Sequence, residues 1–131
     1  MKKQILLFSV KEEQAEKIKE FCLSLGIESL TVERRNFANP LGSILGIPTD
    51  GIHTSANTVK PYRMTGFPSP MMVFCGLEQE DLDAYLSGYA AAEIEKIPLK
   101  AVLTPHNVAW TAEQLYEELM EEHRSFAQRR Q

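Results

Sequence analysis

Several features that define function classes are scarce or missing from the 131 residues of this chain. No stretch approaches the roughly 20 apolar residues that cross a bilayer. The opening Met1-Lys2-Lys3 with Ile5 to Val10 is too short for a secretion leader. Charged Lys11-Glu12-Glu13 follow it, where a small-residue cleavage site would be needed. There are only two cysteines, Cys22 and Cys75, each inside an apolar run. They read as reduced, buried thiols rather than a disulfide, which points to the cytoplasm. The three histidines, His53, His106 and His123, lie far apart and none pairs at metal-ligand spacing, so no metal is expected. A phosphate loop, a dinucleotide fingerprint and a Gly-x-Ser-x-Gly elbow are all lacking, and no cofactor is expected. Positive charge is scarce where it would matter. Residues 1–66 carry 9 basic and 7 acidic groups, whereas residues 67–131 carry 5 and 11. An acidic second half repels nucleic acid and anionic membrane.

What is present suits one packed domain: 44% of the residues are apolar. Ile5-Leu6-Leu7-Phe8 reads as a first strand. From Lys11 to Leu25, Ala15, Ile18, Phe21, Cys22 and Leu25 form one helical stripe, and Gly26 is placed to end that helix in the left-handed region. Residues 27–33 then alternate as a strand with one wet face. The plan repeats. Met71-Met72-Val73-Phe74 matches Ile5-Leu6-Leu7-Phe8 position for position, so that Phe8 and Phe74 are equivalent, and the helical stripes correspond once one residue is added in the turn. A helix with Leu82, Tyr85, Leu86 and Tyr89 on its stripe follows, and Leu99–Leu103 makes a fourth strand.

Strands one and three are apolar on both faces and are expected at the centre of the sheet. The favoured fold is therefore α+β, a ferredoxin-like βαββαβ sandwich of strand order 4-1-3-2. The alternative is a small α/β parallel sheet ordered 2-1-3-4. That sheet needs a crossover between strands two and three, for which no long helix is available. The whole chain, 1–131, is read as a single domain, with a first half (1–33), a long irregular insert (34–70) and a second half plus an extra C-terminal helix (71–131). The insert holds five of the seven prolines yet also many large apolar residues. One short helix is expected in it at 40–45, started by Asn39-Pro40 and stopped by Gly46. The C-terminal helix is expected from Thr111, with a Thr111–Gln114 capping box and Trp110 stapled onto Leu115. Leu115, Leu119, His123 and Phe126 form the stripe to be buried.

Val73-Phe74-Cys75-Gly76-Leu77, the run Pro98 to Pro105, Asn107, and Trp110-Thr111 together resemble the bacterial family known as domain of unknown function 3783. The resemblance covers Met72 to His123 and is most specific from Lys100 to Trp110. It implies a bacterial protein and no particular chemistry.

Candidate contact residues for a ligand or partner are Cys75, Lys100, His106, Asn107 and Trp110. Cys75 sits near the start of the second long helix, where a helix dipole can activate a thiol. Acidic Glu78, Glu80 and Asp81 oppose that, and a buried structural cysteine is the stronger reading. His106, Asn107 and Trp110 share a loop after strand four, where binding groups often sit. Turn-making by Asn107 and helix-stapling by Trp110 explain the same residues. Arg34, Arg35, Lys60 and Arg63 against Asp50 make the insert basic, fit either for an anionic ligand or for the chain's own carboxylates. No nucleophile, base and orienting group occur together. The leading expectation is thus a non-catalytic small-ligand or protein-binding, regulatory module, with no nucleic acid and no membrane as partner. Residual apolar surface on the sheet suggests a homodimer. An uncharacterised enzyme using Cys75 or His106 is the alternative.

Overall fold

The computed structural model describes residues 2–47 and 67–129, the last five of these as backbone only. Asp50, His53, Lys60 and Arg63 lie outside the described residues, as does the side chain of Phe126. In chain order the elements are β1 (Gln4–Phe8), α1 (Glu12–Ser24), β2 (Glu28–Thr31), a single 3-10 turn (Arg34–Asn36) and α2 (Leu41–Ile44). They continue with β3 (Met71–Cys75), α3 (Gln79–Gly88), β4 (Leu99–Val102) and α4 (Ala112–Arg129). No helix among the described residues is long and apolar enough to cross a membrane.

The four strands form one mixed sheet of order β2-β1-β3-β4. β1 and β3 are central, as their two-sided apolarity requires. The ferredoxin-like order 4-1-3-2 is not what the chain adopts. The observed order is the alternative one, although the sheet is not fully parallel. β1/β2 and β3/β4 are parallel, while β1/β3 is antiparallel. That central reversal removes the objection to this order. β3 starts at the end of the sheet where β2 finishes, so no helical crossover is needed.

The pairing also exposes the internal repeat. Leu6 faces Val73, Gln4 faces Cys75 and Phe8 faces Met71, as two equivalent strands related by a twofold would. Gln4 then corresponds to Met71, a shift of 67 residues, and the same shift holds through the turn and helix with nothing inserted. It pairs Ser9 with Gly76 and Gly26 with Glu93, all four in the left-handed region. It also pairs two helix-closing bonds, Ile27 N–H to Cys22 C=O and Ile94 N–H to Tyr89 C=O. Phe8 is therefore equivalent to Cys75, not to Phe74, and no extra turn residue is required.

Chain contacts divide the protein into two compact units. The first, residues 1–32 and 69–103, holds the sheet with α1 and α3. Ile5, Leu7, Met72 and Phe74 from one sheet face pack with Ile18, Cys22, Ile27, Tyr85, Ile94 and Ile97. On the opposite face Leu6, Phe8, Met71 and Val73 are also fully buried.

The second unit, residues 33–68 and 104–131, joins the insert to the C-terminal segment. The amides of Leu41 and Gly42 donate to the carbonyls of Trp110 and Val108, at 2.8 and 2.7 Å. Pro40 bridges Thr111. Phe67 stacks on Tyr116 at 4.2 Å and lies 4.7 Å from Phe37. The short insert helix starts one residue later than expected, with Pro40 at the cap, and Gly46 ends it at φ +76°. His123 is exposed rather than buried, because burial along α4 stops at Met120.

Candidate functional site

The loop after β4 is built by two reciprocal side-chain locks. Thr104 N–H donates to Asn107 Oδ1 at 2.9 Å, and Asn107 N–H donates to Thr104 Oγ1 at 3.2 Å. Asn107 is buried and shapes the turn, as its residue type favours. Next, Gln114 N–H donates to Thr111 Oγ1 while Thr111 N–H donates to Gln114 Oε1, the expected capping box.

Between these locks stands Trp110. Its amide donates to Asn107 C=O and its carbonyl accepts from Leu41, so its backbone is held on both sides. The indole is half-buried, less than a full core staple would be. His106 meets it edge-on, with ring centroids 5.2 Å apart and planes at 65°. Trp110, Gln114, Glu117 and Glu118 line a cleft of about 230 Å³. An aromatic face with two carboxylates on the following turns is suited to hold a cationic group, through ring quadrupole and charge together. No cysteine, serine, threonine, lysine or histidine is among the residues that line it.

Cys75 and Lys100 belong to the first unit, whereas His106, Asn107 and Trp110 belong to the second. Cys75 is fully buried on β3, and desolvation pushes its thiol up to about 12. Its Sγ points to the Val73 carbonyl. Lys100 pairs with Met72 in the ladder, which places it on the opposite sheet face from Cys75. Partial burial and then Lys96 hold the Lys100 ammonium below its usual value. No group of three His, Cys, Asp or Glu side chains among the described residues could hold a metal.

Two features escape sequence reasoning. Glu113, in the first turn of α4, is only 4% exposed, and neither carboxylate oxygen has a hydrogen-bond partner among the described residues. Burial, and then Glu117, push its carboxyl up. Ala112 and Leu115 beside it were the only signal, because an acid at a helix start is normally solvated. The second is a cleft of about 530 Å³ in the sheet unit, between α1 and the outer strand β2. Val10, Glu12, Ala15, Glu16, Lys19, Ser29, Leu30 and Thr31 line it.

The architecture is thus that of an α+β protein on a four-stranded mixed sheet, with an aromatic–acidic cleft at the start of its last helix. Residues 70–126 match the family model described as Domain of unknown function (DUF3783). The match spans β3, α3, β4 and most of α4, including the whole loop from Thr104 to Trp110, in agreement with the resemblance seen in the sequence. Comparison with curated proteins and with solved structures returns no match.

Proposed function

We propose that the chain is a non-catalytic binding module whose Trp110 cleft receives a cationic group. The observation that carries this is the partly exposed Trp110 beside Glu117 and Glu118. Indole is the best of the aromatic faces for a cation, and the carboxylates add attraction of the right sign. Two locks fix the backbone on either side, so the site is preformed and loses little freedom on binding. The buried, neutral Cys75 thiol weighs against an enzyme built on that residue. Buried cysteines without a disulfide also fit a reducing cytoplasm.

Trp110 is the only tryptophan, so its fluorescence reports on this cleft alone. Titration with an alkylammonium ion is expected to shift the emission saturably. The isosteric neutral alcohol is expected to leave it unchanged. Equal responses to both, or a shift that persists in E117Q/E118Q, would overturn the reading.

A further inference from the structure

We infer that the outer edge of β2 is a self-association surface on which a second copy of this chain docks antiparallel. β2 ends the sheet, and no other described strand pairs with its outer side. Glu28 N–H donates to Lys3 C=O and Val32 N–H donates to Leu7 C=O, both on the β1 side. Alternation along the strand then turns the amides and carbonyls of Ser29 and Thr31 outward. An antiparallel copy centred on Leu30 would pair Ser29 with the partner's Thr31 and Thr31 with the partner's Ser29. Each of these pairs exchanges two hydrogen bonds. Leu30 would face its own mate in a non-hydrogen-bonded position, where side chains approach most closely. Leu30 is 38% exposed, a large apolar side chain that this pairing would cover.

Charge selects a second copy over other occupants. The α1 wall of the cleft presents Glu12, Ala15, Glu16 and Lys19, one stripe at helical spacing. α1 runs antiparallel to β2, because it connects two parallel strands. A twofold centred on Leu30 therefore sets the two α1 stripes head to tail. Glu12 then faces the partner's Lys19, Lys19 faces the partner's Glu12, and Glu16 lies opposite the partner's Ala15. The two Glu12–Lys19 pairs make the ends of the stripe complementary to each other, and they must outweigh the two Glu16 carboxylates that come near the axis. An isologous contact requires that property. The strand is short, so the dimer is expected to be weak and concentration-dependent. This surface shares no residue with the Trp110 cleft, and the two readings stand or fall independently.

Sedimentation velocity on the full chain across the micromolar range tests the proposal. A reversible dimer is expected. Glu12→Lys and Lys19→Glu, each alone, should weaken it about tenfold by placing like charges opposite each other. The double swap, Glu12→Lys with Lys19→Glu, should restore it. Thr31→Pro removes an outward amide at an edge position that tolerates proline, and should abolish the dimer with the circular dichroism unchanged. Three results would overturn the inference. One is a strict monomer into the hundreds of micromolar. Another is a dimer that ignores the single reversals, or one the double swap fails to rescue. The last is a monomer whose Ser29 and Thr31 amide resonances move only when an unrelated extended peptide is added.

Discussion

Desolvation gives Cys75 and Glu113 unusual acid–base behaviour. In both cases burial disfavours the charged form, so the thiol and the carboxyl each move up. For Cys75 the outcome is chemical silence. A thiol-reactive probe at neutral pH is expected to label it only at the rate of unfolding, with rapid labelling in denaturant. Fast labelling of the folded chain would restore the enzyme hypothesis. For Glu113 the outcome is a pH-dependent stability. The unfolded state releases this proton at the usual glutamate value, whereas the folded state holds it to higher pH. Stability is complete below the usual value and falls as pH rises through the window up to the raised one. Glu113→Gln keeps the shape and removes the charge. It is expected to stabilise the protein by about 1 kcal/mol at neutral pH, because the amide has no charge to desolvate, and to flatten this limb of the profile. Asp81 works the other way. The Glu78 amide and then Lys3 hold its carboxyl down, so its contribution is present above the usual aspartate value and is lost as pH falls. Asp81→Asn is therefore expected to flatten only the acid limb. Chemical denaturation across pH separates the two.

Among the elements, the turns after the two long helices form a natural pair. Gly26 closes α1 at φ +74°, where a glycine is under no strain. The equivalent Glu93, after α3, adopts φ +62° with a side chain present. Both turns are closed by the same bond to a buried isoleucine, Ile27 or Ile94, and that packing forces the backbone into the left-handed region. A non-glycine residue there costs on the order of 1–2 kcal/mol. Glu93→Gly is expected to stabilise by about 1 kcal/mol, and Gly26→Ala to destabilise by a similar amount, both read from denaturant midpoints. The carbonyl of Glu93 that receives Lys17 Nζ is retained in that variant. Sequence periodicity found both long helices, the Gly26 stop and the Thr111–Gln114 cap, since each depends on local spacing or one residue type. It could not show that Glu93 repeats the role of Gly26, because tertiary packing imposes that conformation against the residue's own preference. The indole of Trp110 was legible as a loop residue beside a cap. Its partial exposure beside Glu117 and Glu118 depends on how α4 is laid down, which spacing alone does not determine.

At the scale of the whole molecule, two-sided apolarity correctly placed β1 and β3 at the centre of the sheet. Strand direction was not legible, because Ile5–Phe8 and Met71–Phe74 look the same read as parallel or antiparallel neighbours. The twofold through Leu6 and Val73 settles it and makes the two halves interdependent. The family match begins at residue 70, within a residue of β3, so it leaves out β1, α1 and β2 entirely. A fragment of residues 70–131 would keep Met72 and Phe74 but lose Ile5, Leu7, Ile18 and Ile27 from the same buried cluster. Each such side chain contributes about 1.5–3 kcal/mol on burial. Four of them together match the entire stability of an ordinary domain, about 5–15 kcal/mol. The fragment would also lose Phe37, Leu41 and Phe67, with which the C-terminal segment builds the second unit. It is therefore expected to show collapsed amide dispersion by NMR and no cooperative melt, while the full chain melts cooperatively. A dispersed spectrum from residues 70–131 would mean that the segment matching the family model folds by itself, and that β1 and β2 add to a core already complete without them.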